Sequence, residues 1–484
     1  MESLKARTTR GIFWSFLDSF GVYLVKFGFS IIIARTLSPE DYGLMGMIVI
    51  FISLGQMIMQ SGFSMALVQK KESNTEDLST AFWFNVIAAL LVYIILFFSA
   101  GAIATFYQKP VLVGITRVAA LGIILNALCS VQVSILTKRM DFRKLTWINL
   151  TGALISGTTG LIMALKGYAV WALVFQTLAG NLIYLIGLWI SSKWRPSTVF
   201  SVKSFRSLFS FGYKIMLQGL TDVIFTKVYF PLIGKFYTTS QLGFYTNASR
   251  FNDLFIRQTS NSVTRVIFPA FATIQDEKER FNNNYTKSYN LLAALMFLGS
   301  LILIISSRPF ISIALTDKWL PAVPLMQLLF IEGFFFPLLM FNQNIICSVG
   351  KSGLSLKIDI IKKAAILISI ILVFRLGIEA LIIGQVAASG LAFIISTMAV
   401  IRLQGVRLQY IAVPLVKLCL VVAVCLLVSY FVIEPLVNSD WSELILKCTL
   451  VPVIFWGLSG LIGLSAFKDI KAFLIDHKTI RSEA

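Results

Sequence analysis

Residues 242–268, LGFYTNASRFNDLFIRQTSNSVTRVIF, are too polar for an ordinary membrane span and too apolar for an ordinary loop. Read at helical spacing, the stretch carries one polar stripe, made of Asn247, Arg250, Leu254, Arg257, Asn261 and Thr264. The steps between these residues alternate between three and four, which places their side chains on one helix face. Such a helix either lies flat on a membrane or stands in it with the stripe facing a water-filled cavity. The rest of the chain decides between the two.

The remainder of the chain is strongly apolar. Of its 484 residues, 57% are hydrophobic and 13% are charged, and the mean hydropathy is +0.82. Soluble domains carry roughly 25% charged residues. Apolar runs of about 20 residues, the length that crosses a hydrocarbon core, recur along nearly the whole sequence. The sequence therefore predicts an all-α polytopic membrane protein with about 14 transmembrane helices.

The chain has a formal net charge of +19. In a soluble protein this charge would suggest a nucleic-acid partner. In a membrane protein it first reflects topology, because cytoplasmic loops collect Lys and Arg. With the N-terminus inside, clusters such as residues 138–144 fall on the inner side, and single lysines such as Lys109 and Lys166 fall outside. This asymmetry predicts a multi-pass protein with both termini in the cytoplasm, and we expect no nucleic-acid partner.

Two segments 200 residues apart resemble each other: residues 33–43, IARTLSPEDYG, and residues 233–243, IGKFYTTSQLG. Each segment joins an apolar span to a second span that begins near a glycine. The match predicts two homologous six-helix lobes inserted the same way up, a parallel repeat around a central cavity. The predicted domains are 1–200 (N-terminal lobe), 201–405 (C-terminal lobe) and 406–484 (two extra transmembrane helices and a basic cytoplasmic tail). The repeat makes 242–268 a membrane span whose stripe faces the cavity.

Charged residues inside the predicted spans are candidates for lining that cavity. A charge at the bilayer centre costs about 2.5–3.5 kcal/mol and is usually tolerated only beside a partner or water. Cations outnumber anions in this set, and a guanidinium suits phosphate because it donates two parallel hydrogen bonds. The predicted substrate-binding residues are Lys26, Arg117, Lys214, Lys227, Arg250 and Arg257. The predicted residues for coupling to H+ or Na+ are Asp18, Asp222, Asp253 and Glu332.

A structural interpretation of the same charges stays open. Ion pairs within or between helices, such as Asp253 with Arg257 four residues later, would explain them without a ligand. Aromatic residues could stack on sugar rings, although core or lipid packing is a simpler explanation for any single one. The aromatic candidates are Trp14, Tyr229, Phe334, Phe335 and Phe336.

Several classes of catalytic and metal site find no support in the sequence. Gly350-Lys351-Ser352 resembles the end of a phosphate-binding loop, but Ile345 occupies the place of its first glycine. The single histidine, His477, excludes a histidine-based metal site or triad, and the five cysteines lack metal-ligand spacing. No loop is long enough to hold a soluble catalytic domain. We therefore expect no enzyme activity, no bound metal and no cofactor.

Residues 34–43, ARTLSPEDYG, resemble the ARxLSPEDYG signature of polysaccharide flippases, especially the colanic-acid-exporter-like branch of the Wzx family. Residues 137–142, 242–245 and 266–270 are similar to further segments of that family. The resemblance implies the MOP superfamily, which also includes lipid II flippases and MATE multidrug exporters. It further implies two six-helix lobes that alternate access around a cationic cavity. The implied cargo is an oligosaccharide on undecaprenyl diphosphate.

The sequence thus predicts a flippase of the bacterial inner membrane. It would move an undecaprenyl-diphosphate-linked repeat unit from the cytoplasmic to the outer leaflet for surface polysaccharide biosynthesis. The other expected partners are membrane lipid and, as enzymes of the same pathway, a polysaccharide polymerase and glycosyltransferases. The alternatives are a lipid II-type flippase, an ion-coupled MATE exporter of cationic drugs, which needs an anionic cavity, and a membrane enzyme of the same glycans, which needs a large external loop.

Overall fold

The computed structural model describes residues 4–70, 73–260, 267, 271–275 and 277–464, with the side chain of Trp14 and those from Gly21 onward. Every regular element in these ranges is a helix. The helical stretches are α1 (Leu4–Thr36), α2 (Pro39–Gln69), α3 (Thr75–Tyr107), α4 (Leu112–Lys138), α5 (Phe142–Leu165), α6 (Val170–Ser192), α7 (Val202–Lys227 and Tyr229–Phe236), α8 (Thr239–Asn252 and a π-helical turn, Asp253–Arg257), α9 (Lys278–Leu315), α10 (Asp317–Ser348), α11 (Ser352–Val373), α12 (Ile378–Gln404), α13 (Gln409–Leu436) and α14 (Asp440–Leu461).

Of the helices that the structure describes, 10 are long and apolar enough to cross a membrane. They are α2 to α6, α9, α10 and α12 to α14. The other predicted spans, α1, α7, α8 and α11, are also helical but carry charged residues among their apolar ones. The prediction of an all-helical, multi-pass membrane protein is confirmed.

The chain divides into two compact units, one up to Thr246 and one from Asn247 onward. In the first unit α5 packs against α1 and α6, and α3 packs against α4. In the second unit α9 packs against α10, α13 and α14, and α11 packs against α12. The boundary between the units falls within α8. The predicted domain limits 1–200, 201–405 and 406–484 stay a prediction.

The two segments of the sequence repeat begin their helices in the same way. Asp41 accepts hydrogen bonds from the backbone N of Ser38 at 2.9 Å, and the Ser38 hydroxyl accepts from the backbone N of Asp41 at 3.3 Å. Thr238 and Gln241 make the same reciprocal pair, at 3.0 and 3.2 Å. Both pairs are capping boxes, which satisfy backbone N–H groups at a helix start. The local structure therefore corresponds as the repeat predicts.

The starts of α2 and α8 cross with no space for side chains between their backbones. A Cβ on Gly43 would lie 2.0 Å from the carbonyl oxygen of Thr239, and a Cβ on Gly243 would lie 1.8 Å from that of Pro39. Exchanging the two repeat segments turns one contact into the other, so the crossing has local two-fold symmetry. Only glycine allows two backbones this close.

One buried cation joins α14 to α13. The Lys447 side chain is 1% exposed, and its Nζ donates to Glu443 of α14 and to Glu434 of α13. Glu434 also pairs with Arg308 of α9, at 3.2 Å. These ion pairs connect α13 and α14, the last two helices of the described residues, to α9.

We expect Lys447→Ala to lower the free energy of unfolding by about 3 kcal/mol, because removing one partner of a buried ion pair leaves carboxylates without their cation. Thermal unfolding of the purified protein in detergent measures the change. The matched control is Lys357→Ala, which removes an exposed lysine of α11. Equal melting temperatures for the two variants would contradict the assigned role of Lys447.

Candidate functional site

A buried carboxylate lies inside the second unit. Glu332 of α10 is 1% exposed. Its Oε1 accepts a hydrogen bond from Ser389 Oγ of α12 at 2.8 Å, and its Oε2 accepts from Asn252 Nδ2 of α8 at 3.4 Å. A carboxylate in this position requires such partners, because an isolated buried charge is strongly disfavoured. Three helices thus position one acidic group.

Arg257 of α8 approaches the same carboxylate. Its Nη2 lies 3.9 Å from Glu332 Oε2, and its Nε lies 2.9 Å from Asp253 Oδ1. The ion pair predicted between Asp253 and Arg257 is therefore confirmed. The guanidinium faces one carboxylate from its own helix and another from α10.

Lys362 of α11 brings a second cation to this point. Its Nζ lies 5.1 Å from the ring centroid of Phe336, and Arg257 Cζ lies 5.0 Å from the same centroid. The two cations are therefore within roughly 10 Å of each other and share one aromatic ring. Lys362 also interacts electrostatically with Glu332 and Asp359. In the described part of the chain, no carboxylate lies within salt-bridge distance of Lys362.

We call this group of charges the C-terminal charge cluster. Its cations are Arg257, Lys362 and Lys363, and its carboxylates are Asp253, Glu332 and Asp359. Lys363 pairs with Asp359 at 2.6 Å. Lys362 is not in the predicted site. Lysines near the start of a span can extend to the headgroup region, and the sequence alone offers no reason to prefer burial.

A π-helical turn brings Arg257 into the cluster. Residues 253–257 have more residues per turn than an α-helix, so side chains beyond the turn rotate relative to those before it. Arg250, before the turn, is exposed, whereas Arg257 contacts Glu332. The regular stripe predicted along this helix is therefore interrupted, and its members Asn261 and Thr264 lie outside the described residues. Such turns frequently occur at functional sites.

The remaining predicted substrate-binding residues belong to the first unit. Arg117 donates its Nε to the Phe97 carbonyl oxygen at 3.2 Å and places its Cζ 4.1 Å from the Phe97 ring. Lys227 Nζ lies 5.3 Å from the Phe230 ring. Lys26 is exposed. Lys214 is also exposed, with its Nζ 6.0 Å from the Tyr213 ring.

The four predicted ion-coupling residues differ in their surroundings. Glu332 is buried, Asp253 is partly exposed beside Arg257, and Asp222 is exposed on α7. The side chain of Asp18 lies outside the described residues. Of all the predicted site residues, the structure brings together Arg257, Asp253 and Glu332. Their roles stay a prediction.

The aromatic residues suggested for sugar stacking are largely engaged within the protein. Tyr229 is 1% exposed. Phe336 is buried and carries two cations. Phe334 packs on Phe297 with their centroids 4.9 Å apart. Tyr229 and Phe336 therefore have little surface to offer a ligand.

Known proteins resemble the chain in sequence. The family model described as "Polysaccharide biosynthesis protein" matches residues 32–324. The succinoglycan biosynthesis transport protein ExoT of Rhizobium meliloti is 28% identical over 68% of this chain. The chain spans 66% of the length of ExoT, which is just under two thirds. The lipopolysaccharide biosynthesis protein WzxC of Escherichia coli is 23% identical over 92% of this chain and 85% of its own length.

A solved structure resembles the chain in fold. The lipid II flippase MurJ, in an inward closed conformation, superposes with a TM-score of 0.77 at 15% identity. The match covers 95% of this chain and 99% of MurJ, so the two share one fold. Because the family model covers more than half of the sequence, the chain belongs to the family of polysaccharide biosynthesis proteins.

Proposed function

We propose that the protein is a flippase for an oligosaccharide linked to undecaprenyl diphosphate, which it moves from the cytoplasmic to the outer leaflet by alternating access. The names of its relatives, which include a succinoglycan transport protein and a lipopolysaccharide biosynthesis protein, support this cargo class. The fold shared with a lipid II flippase supports the mode of transport. The observation that carries the proposal is the pair of cations on Phe336 inside the second unit.

The pair suits a diphosphate. Arg257 presents a planar fork that can donate two parallel hydrogen bonds to one phosphate, whereas Lys362 acts as a point charge. Asp253 Oδ1 lies 2.9 Å from Arg257 Nε, and Glu332 Oε2 lies 3.9 Å from Arg257 Nη2. Phosphate oxygens would compete with these two carboxylates for the guanidinium. Lys26, Arg117, Lys214, Lys227 and Arg250 are further proposed contacts of the cargo.

Glu332 is our preferred group for coupling to H+ or Na+. It is the most deeply buried of the three predicted carboxylates whose side chains are described, and it faces Arg257 directly. A proton or sodium ion on Glu332 would neutralise the carboxylate that competes with phosphate for Arg257. Asp18, Asp222 and Asp253 are the other proposed coupling groups.

The cellular setting follows from the same proposal. The protein lies in the bacterial inner membrane with both termini in the cytoplasm, organised as lobes 1–200 and 201–405 with two extra helices in 406–484. A polysaccharide polymerase and glycosyltransferases act before or after it on the same glycan. The protein itself carries the cargo without a catalytic step.

The proposal predicts the lipid content of a strain that lacks the gene. We expect an undecaprenyl-diphosphate oligosaccharide to accumulate on the cytoplasmic side, because its carrier is missing. Lipid extraction, mass spectrometry and a glycan label that cannot cross the membrane measure the amount and the side. A plasmid copy of the gene should reverse the accumulation. Unchanged lipids together with altered resistance to cationic dyes would instead favour a MATE-type drug exporter.

A further inference from the structure

Helix α7 carries an exposed polar face. Ser207, Ser210, Lys214, Gln218 and Thr221 are all exposed and recur at steps of three or four residues. These steps place them on one side of the helix. A lysine and a glutamine in a membrane protein's helix favour water or a polar ligand over lipid. This face of α7 is therefore suited to a polar partner.

A column of stacked aromatic rings also lies on α7, and its last ring, Tyr213, has its centroid 6.0 Å from Lys214 Nζ of the polar face. The centroids of Phe205 and Phe209 are 5.3 Å apart with planes 20° apart, and those of Phe209 and Tyr213 are 5.9 Å apart with planes 25° apart. Phe63 of α2 contacts Phe205, and Phe84 of α3 contacts Phe209. Phe209 is nevertheless 36% exposed and Tyr213 is 37% exposed. We call Phe205, Phe209 and Tyr213 the α7 ladder.

The combination of surfaces matches the chemistry of a sugar ring. A pyranose has an apolar face of C–H groups and an edge of hydroxyls. Ring faces held by neighbouring aromatics offer apolar contact at little entropic cost. Ser210, three residues before Tyr213, and Lys214, whose Nζ lies 6.0 Å from the Tyr213 ring, offer hydrogen-bonding groups at the end of this column. A hydrocarbon tail would gain nothing from the polar face, so a glycan is the better match.

We propose that the α7 ladder is a binding subsite for the sugar rings of the transported oligosaccharide, with Ser210 and Lys214 bonding sugar hydroxyls. This inference rests on the proposed function and adds a place where the glycan itself is recognised. The ladder is distinct from the five aromatic residues that the sequence suggested for this role.

The test measures the affinity of purified protein in nanodiscs for two lipids. One is the undecaprenyl-diphosphate oligosaccharide extracted from the deletion strain, and the other is sugar-free undecaprenyl diphosphate. We expect Phe209→Leu and Tyr213→Leu to bind the glycan-bearing lipid up to about tenfold more weakly, the size of one lost aromatic contact. Their affinity for the sugar-free lipid should stay as in the wild type.

The matched control is Phe98→Leu, which changes a ring of α3 that is 76% exposed. It should leave both affinities unchanged. Equal losses for both lipids in the ladder variants would overturn the sugar subsite in favour of contact with the lipid or a structural role. Unchanged affinities would also overturn it. A wild-type protein that binds neither lipid would contradict the proposed function as a whole, a result separable from failure of the ladder alone.

Discussion

Arg257→Ala is expected to abolish polysaccharide export while the protein stays inserted in the membrane. The substitution removes the only fork-shaped donor among the three cations of the C-terminal charge cluster and leaves Lys362 as a point charge. Arg257→Lys should export at an intermediate level, because it retains the charge but loses the paired hydrogen bonds. Surface polysaccharide in a complemented deletion strain, normalised to protein in the membrane fraction, measures the effect.

A structural role for Arg257 must be separated from ligand binding. Arg257→Ala leaves Glu332 buried without its guanidinium partner, which is itself destabilising. In the double variant Arg257→Ala/Glu332→Gln that carboxylate is replaced by a neutral amide, so stability should recover, which measures the structural part of the Arg257→Ala effect. Arg280→Ala, which removes a surface arginine paired with Glu277, is the matched control. Normal export by Arg257→Ala would contradict the assignment of the site.

The second large effect concerns the crossing of α2 and α8. We expect Gly243→Ala to lower the free energy of unfolding by about 3 kcal/mol, the upper end for overpacking, because the new methyl group meets a backbone oxygen that cannot move away alone. The Cβ would lie 1.8 Å from the carbonyl oxygen of Pro39. Export should fall as well, because the starts of α2 and α8 can no longer close on each other.

Gly101→Ala on α3 is a control that should change the free energy of unfolding in the opposite direction. A Cβ there meets nothing within 4 Å. In a helix with open space, alanine is favoured over glycine by roughly 0.5–1 kcal/mol, so this variant should be slightly more stable than the wild type. Thermal unfolding in detergent compares the two. A Gly243→Ala protein as stable as Gly101→Ala would show that the crossing is looser than described.

The fold was predictable because its signals are local. The apolar runs that cross a membrane are continuous in sequence, and the described helices follow them closely. The two capping boxes are readable too, because Ser38 and Asp41, like Thr238 and Gln241, are three residues apart. The close contact of Gly43 with Thr239 could not be predicted, because a short sequence motif does not show which distant backbone segment packs against it.

The candidate site was predictable only in part. Asp253 and Arg257 are four residues apart on one helix, so their pair follows from spacing alone. The bonds to Glu332 join residues 80 and 57 positions away, Asn252 and Ser389, and only tertiary packing brings them together. The π-helical turn could not be predicted either, because the spacing of the polar residues fits a regular α-helix. The position of Lys362 beside Phe336 also depends on tertiary packing, so the sequence does not predict it.

For the α7 ladder, the sequence predicts the stacking of the rings but not their exposure. Phe205, Phe209 and Tyr213 recur every four residues, so their stacking could be expected from helical geometry. Their exposure could not, because it depends on how far α2 and α3 cover the column. A buried ladder and an open one have the same sequence pattern.

The C-terminal charge cluster has an electrical consequence. Its three cations face three carboxylates, so in the described residues the empty cluster carries no net charge when all six groups are ionised. In the proposed transport cycle, the cluster without cargo would therefore move none of this charge through the membrane field, whereas the loaded protein would move the phosphates of its cargo together with any ion on Glu332. The field contributes about 2.3 kcal/mol per charge per 100 mV. An inside-negative voltage would thus drive the loaded step and leave the return step unaffected by this cluster, making the transport cycle electrogenic in one direction only.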